Sequence, residues 1–415
     1  TLNIQDAYKE DGFDFSGTRA IDKTSGYRSK SFLNVPLKNH EDDIIGVMQL
    51  LNSIDHKTGE VQAFSAEMQE LVESLASQGA VALTNKRLIA QQKELFESFI
   101  QLIATAIDKK SAYTGGHCER VPKIAMLLAD AVERTTDGKY KDFSMTEDER
   151  YELYIAAWLH DCGKVATPPH IVDKATKLET ITDRIQTVDT RFEVKKRDLE
   201  ISMLIKQINI MKNGSVDDAE DEIKSEYEKV LNHLKDDRNF IRKANRGVEC
   251  MAEDDQKRVA DIGNYKWAFD GTEVPFLNEE EVRNLQIPKG TLLPEEREII
   301  NDHILITIVM LEKLPYPKQL KNVPEFAGGH HEKLNGTGYP KGLKDEDMSI
   351  QAKIMAISDI YEALTAKDRP YKDAYKLSEA MEIMCLMNKK HEIDKDLFEI
   401  FIKKGVYKEY ADTYL

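Results

Sequence analysis

From Ala80 to Ala112 the chain runs without a proline or a glycine. Its apolar residues there, Val81, Leu83, Leu88 and Ile89 onward to Ile107, keep helical spacing. A helix of that length extends about 50 Å, farther than the core of one small domain. The segment therefore predicts a long connecting helix, its linker part at 91–112. Such a helix either passes movement from one domain to another or forms the seam of a homodimer. With 415 residues, and about 150 per domain, two to three units are expected.

On either side of this helix the patterns differ. Ser31–Leu37 and Ile44–Leu51 are short, apolar and β-branched, separated by the charged turn His40-Glu41-Asp42-Asp43, which is a hairpin signal. A helix is expected from about Ala63, with Met68, Leu71, Val72, Leu75 and Ala76 on one face. Beyond Phe96 the chain reads as mostly helical, at Val121–Val132, Tyr151–Leu159, Ile299–Leu311 and Ile354–Leu364. Residues 179–287 form a distinct stretch. Ile185, Phe192 and Leu199 recur there at steps of seven, with Val188 and Leu204 beside them. Asn213-Gly214-Ser215 marks a turn, and Ile223, Tyr227, Val230, Leu231 and Leu234 return. The charged residues between them suggest a solvated helical hairpin. Its later part, through Trp267 and Phe269, has no clear period.

Charge narrows the partners. There are 74 acidic against 58 basic residues, a net charge of −16, and polyanions such as DNA, RNA or an anionic membrane surface want the opposite balance. No run of about 18 apolar residues offers a membrane span. No charged-then-apolar leader opens the chain, and Cys118, Cys162, Cys250 and Cys385 form no CxxC. A cytoplasmic protein in a reducing compartment is the expectation.

The chemistry gathers on histidines with carboxylates beside them: His117, His160-Asp161, His303, His330-His331-Glu332, and the carboxylate Asp359. A lone helical histidine is usually packed or exposed without further role. Here an apolar helix runs straight into His160-Asp161-Cys162-Gly163-Lys164, and burying an imidazole and a carboxylate is costly unless they pair or bind a cation. Imidazole and carboxylate without thiolate suit iron, manganese or nickel at least as well as zinc. Six or more such groups exceed one tetrahedral ion and suit two ions sharing a bridge, which can activate water and hold a phosphodiester. Cys118 and Cys162 read as packing. His170, His233 and His391 carry no motif, and His40 and His56 read as loop residues.

These residues resemble the HD-GYP family, bacterial phosphodiesterases acting on cyclic dinucleotides. The resemblance rests on His160-Asp161-Cys162-Gly163-Lys164 and on HHEKLNGTGYP from His330 to Pro340. YTGGHCERV at Tyr113–Val121, NDHILIT at Asn301–Thr307, SDIYEALTA at Ser358–Ala366 and DRPYK at Asp368–Lys372 extend it. SKSFLNVPL, IIGVMQLLN and ASQGAVALTNKRL resemble the second half of a GAF domain, so the chain is expected to begin inside that domain. The implied organisation is a multi-domain chain. A partial α+β GAF domain occupies 1–90 and the linker helix 91–112. An all-α HD-type metallophosphohydrolase domain lies at 113–178 and 288–415, split by a helical insertion at 179–287.

The resemblance also implies roles. His117, His160, Asp161 and Asp359 correspond to one metal set, and His303, His330 and His331 complete the second, with Asp161 as bridge. Two divalent ions are implied, iron favoured and manganese or nickel possible by their ligands. A Glu stands four residues before the equivalent of His117 in members proposed to hold three metals; here that position is Tyr113. Lys164 and Asp161 carry catalysis, Lys164 as donor to a phosphate oxygen or leaving group. Arg369 and Lys372 look like substrate-phosphate contacts, and Gly336, Gly338, Tyr339 and Pro340 form a loop for substrate or for a signalling partner. Glu332 either orients a ligand imidazole or lies on the surface.

The implied activity is hydrolysis of cyclic di-GMP to linear pGpG or GMP. A preference for 3',3'-cGAMP, a non-catalytic receptor or interaction module, and an HD phosphohydrolase of mononucleotides are the alternatives.

Overall fold

The computed structural model describes residues 1–110, 115–213, 218–247, 250–366 and 375–414. It divides into two compact units, Thr1–Phe99 and Ile100–Leu415.

In the first unit, β1 (Leu2–Ile4), β2 (Phe32–Lys38) and β3 (Ile44–Leu51) form an antiparallel sheet in that order, with helix α1 (Ser16–Ser25) between β1 and β2. The β2–β3 pairing is the expected hairpin, in register from Phe32↔Leu51 to Leu37↔Gly46. Alternate residues of β2, Leu33, Val35 and Leu37, face inward and meet Phe64, Val72, Ala76 and Ala80. A small β4–β5 pair (Ser53–Ile54 and Val61–Gln62) precedes helix α2, which starts at Ala66 and ends at Lys110. Its first turns bury Val72, Ala76 and Ala80; its last bury Ile100, Ala104 and Ile107. Between them Val81, Leu88 and Leu95 are more than half exposed.

The second unit is mostly helical. Helices α3 (His117–Glu133), α4 (Glu147–Leu159), α5 (Pro169–Val172), α10 (Pro294–Glu312), α11 (Val323–Gly328) and α12 (Ile350–Thr365) assemble around the histidines, and α13 (Leu377–Lys389), α14 (Lys395–Lys403) and α15 (Val406–Tyr414) follow. Helix α4 begins at a capping box in which Thr146 and Glu149 satisfy each other's backbone N–H groups. It ends where His160-Asp161 turns into a 3₁₀ segment, Cys162–Ala166.

Residues 179–287 hold α6 (Ile185–Asn213), α7 (Asp218–Asn245), α8 (Glu253–Gly263), β6 (Lys266–Phe269), β7 (Thr272–Pro275) and α9 (Glu279–Leu285). Val188, Phe192, Leu234, Ile241, Val259, Ile262 and Phe276 share one core. One expectation is corrected here. The insertion is not wholly helical, because the stretch without a period turns back as the β6–β7 hairpin. Asp270 and Gly271 both take positive φ there, at 49° and 75°, the backbone that a two-residue hairpin turn demands. Along the seven-residue seam of α6, Phe192 is buried and Ile185 and Leu199 are half-buried, while Leu204 beside it is 47% exposed. Of the expected turn, Gly214 and Ser215 lie outside the described residues.

Candidate metal centre

Five elements deliver the ligand candidates: His117 opens α3, His160 and Asp161 close α4, His303 lies mid-way along α10, Asp359 lies in α12, and α11 leads to the last pair. His330 and His331 follow α11. All but the half-buried His331 are buried. The close fit of these elements is visible at Gly163. A Cβ there would fall 1.9 Å from the carbonyl oxygen of His303, so only glycine lets the 3₁₀ turn meet α10 backbone to backbone. Thr307 Oγ1, one turn farther along α10, accepts from the Gly163 N–H at 2.9 Å.

The imidazoles are aimed by their outer nitrogens. His160 Nδ1 donates to Ala157 O at 2.8 Å, His330 Nδ1 to Ala327 O at 2.5 Å, and His303 Nδ1 to Ile300 O. In each case the acceptor is the carbonyl three residues earlier, which fixes the tautomer and turns Nε2 toward the shared centre. His117 uses a carboxylate instead. Its Nδ1 bonds Glu362, whose other oxygen accepts from Arg120 Nε at 2.6 Å. Glu362 lies one helical turn after Asp359 and is buried; the sequence reading missed it.

Asp161 stands between two groups. Its Oδ2 is 3.2 Å from His117 Nε2 and 3.4 Å from His160 Nε2. Its Oδ1 is 3.2 Å from His303 Nε2 and 4.0 Å from His330 Nε2. Asp359 Oδ1 lies 3.2 Å from His117 Nε2 and 3.8 Å from His160 Nε2. Accordingly, His117, His160 and Asp161 can converge on one ion, and His303, His330 and His331 on another. Asp161 Oδ1, His303 Nε2 and His330 Nε2 are buried without a hydrogen-bond partner. Such orphans are rare and costly in a core, and a cation would satisfy all three. The donor set therefore fits divalent metal.

Electrostatics agree. Burial pushes His330 well below the usual imidazole range, helped by His331 and His160, and pushes His331 down to about 4. Both are held neutral, the form that ligates metal. Burial opposes ionisation of Asp161, but Lys164 and His160 hold its carboxyl well below the usual range. His117 is disfavoured as a cation by burial, yet Glu362, Asp161 and Asp359 raise it well above the ordinary value. Lys164 Nζ lies 2.5 Å from Asp161 Oδ2. Burial pushes the Cys162 thiol up to about 11 and holds Cys118 well above the ordinary thiol range, in keeping with packing.

The glycine-rich loop closes one side. Tyr339 stacks on His331, with ring centroids 4.9 Å apart and 28° between planes, and its N–H donates to His331 O. Tyr339–Pro340 is a cis peptide bond. Gly336 has φ +78°, and a Cβ on Gly338 would lie 2.2 Å from Lys333 N, so the two glycines serve the turn itself. Glu332 is corrected in role. It is buried, and its oxygens accept from the backbone N–H groups of Lys341 and Leu343 at 2.7 and 2.9 Å. It anchors the loop and bonds no imidazole. Arg369, Lys372 and Tyr113 lie outside the described residues.

Comparison with known proteins agrees with this geometry. Residues 1–83 match the GAF domain, and residues 114–244 and 278–397 each match an HD domain. The cyclic di-GMP phosphodiesterase of Thermotoga maritima is 37% identical over 126 residues, 30% of this chain and 33% of that one. The probable cyclic di-GMP phosphodiesterase of Vibrio cholerae is 36% identical over 124 residues, 29% of this chain and 28% of that one. The 3'3'-cGAMP-specific phosphodiesterase 1 of Vibrio cholerae is 38% identical over 88 residues, 20% and 19% of the two chains. The chain thus spans a third or less of these relatives' length.

Proposed function

We propose that this chain, which joins a GAF domain to an HD domain, is an HD-GYP phosphodiesterase that hydrolyses cyclic di-GMP to linear pGpG or GMP. The observation that carries the reading is Asp161, one buried carboxylate whose two oxygens face two separate histidine groups. His117, His160, Asp161 and Asp359 would hold one ion, and Asp161, His303, His330 and His331 the other. Two divalent ions are proposed, with iron first and manganese or nickel accommodated by the same donors. When bound, they supply the Lewis acidity that activates water and offsets phosphodiester charge.

The chain's own groups do the rest. The Lys164 ammonium, held at the centre by Asp161, donates to a non-bridging or leaving oxygen as charge builds there. The carbonyl-bound Nδ1 protons keep the imidazoles from turning during the reaction. Tyr339, stacked on His331, is proposed to contact substrate, and Arg369 and Lys372 are proposed to bind the substrate's phosphates. Relatives named for 3'3'-cGAMP occur beside those named for cyclic di-GMP, so the mixed ring is the second substrate proposed.

A cytoplasmic site of action is proposed from the cysteine usage. No helix among the described residues is long and apolar enough to cross a membrane. Homodimerisation through α2 is supported by the seven-residue step of exposed Val81, Leu88 and Leu95. A signalling partner at the 336–340 loop completes the proposal. Metal-loaded, anaerobically prepared protein is expected to linearise cyclic di-GMP or 3',3'-cGAMP on product chromatography. Absence of turnover across a panel of cyclic dinucleotides by fully loaded protein would leave the receptor reading.

A further inference from the structure

Helix α2 ends on two charged side chains that both reach the metal-bearing elements. Asp108 is buried, and its Oδ2 accepts from the N–H of Cys118, the residue after His117. Lys110 Nζ donates to three backbone carbonyls, those of Lys164 (3.1 Å), Val165 and Thr167 (2.8 Å). An ammonium has three N–H groups, and here each has one acceptor. The acceptors lie at the end of the 3₁₀ turn, where Lys164 O also takes the capping N–H of Thr167. This turn begins directly after Asp161 and contains Lys164.

The turn has a second fastening, the Gly163 N–H on Thr307 Oγ1. That one comes from α10, which also carries a ligand candidate. Lys110 carries no ligand and touches no reacting group. Three bonds to backbone 54 to 57 residues away have no local cause, and a lysine at a helix end has water as an easy alternative. We infer that Lys110 is a positioning residue. It clamps the Cys162–Ala166 turn so that Asp161 and Lys164 are held in productive register, which makes the placement of the end of α2 a determinant of the rate. For its kinetic part the inference rests on the phosphodiesterase reading; for its structural part it does not.

The test uses the full chain as wild type, Lys110→Met, Lys110→Arg and, as a control on the neighbouring exposed side chain, Lys109→Met. Amide hydrogen exchange is read on metal-free protein, with metal content and cyclic di-GMP kinetics on loaded protein. Lys110→Met is expected to speed exchange at Gly163–Thr167 by about tenfold or more. With the metal content of wild type, it should lower kcat by up to about 100-fold, with KM within about twofold. Lys110→Arg, which can reach the same carbonyls, should restore most of both, and Lys109→Met should change neither. Wild-type exchange in Lys110→Met, or fast exchange with undiminished kcat, would overturn the inference. If wild type turns over nothing, the phosphodiesterase reading falls. Exchange then judges the clamp alone: loss of protection sustains it and unchanged protection removes it.

Discussion

The metal centre and the 179–287 insertion both bury charge, and they finish it differently. Among the described residues of the insertion, each buried charge is closed by another protein group. Asp237 accepts from Arg258 and Tyr265, and Glu281 accepts from both terminal nitrogens of Arg191. Asp189 takes Arg238 and Arg242 together. Among the described residues, no buried side-chain polar atom of the insertion lacks a partner. At the centre the outer nitrogens are satisfied, while three inner atoms are not. Closed networks stabilise; open, converging ones point to a ligand. The difference separates two kinds of buried charge that look alike in a list of residues.

The strongest way to break this contrast is to remove a group from the open cluster. His160→Ala is expected to abolish turnover and lower the bound metal while the far-ultraviolet circular dichroism spectrum stays that of wild type; an active variant would refute the assignment. Glu362→Gln comes next. Losing the carboxylate that orients His117 should cost about 10- to 100-fold in metal affinity or activity, read by metal titration. Glu332→Ala should raise KM several-fold with unchanged metal content, since it frees the loop and leaves the imidazoles as they are; a metal defect would mean that the loop supports the ligands as well.

Asp237→Asn tests the other side. It should leave kcat and metal content at wild-type values and destabilise the insertion by about 2 kcal/mol, because Arg258 and Tyr265 lose their charged acceptor. Denaturant-dependent hydrogen exchange in α7 and α8 would measure it.

The smallest effect concerns Lys177, the buried cation at the insertion's entrance, which donates to Leu285 O and Ile287 O near its exit. Burial lowers its pKa to about 8, against about 10.4 in an unfolded chain. Between those values the unfolded state binds more protons, so this group's contribution to stability rises with pH, by at most about 1.4 kcal/mol per unit. Wild type should gain about 1 kcal/mol of stability relative to Lys177→Met from pH 8 to pH 9. A flat difference would show that the ammonium is not held as this environment requires.

Much of this was legible in the residues themselves. The His160-Asp161 and His330-His331 motifs, the β2–β3 hairpin and the uninterrupted helix are local patterns, and their spacing reports them directly. What escaped was set by distance or by backbone. Lys110 meets carbonyls more than fifty residues away, and carbonyls have no letter in a sequence. Glu332 was left between orienting an imidazole and lying on the surface, but it is buried and its partners are the Lys341 and Leu343 N–H groups of the loop. Glu362 could have been found, since it stands three residues after Asp359 on one helical face. Asp270-Gly271 could likewise have announced the β6–β7 turn, had the missing helical period been read as a strand signal.

The central claim is that Asp161 is shared by two ions. Elemental analysis of anaerobically prepared wild type and Asp161→Ala tests it most directly. Two divalent ions per wild-type chain, and loss of both in Asp161→Ala, is the expected result. A single ion in wild type, or two ions retained without Asp161, would contradict it.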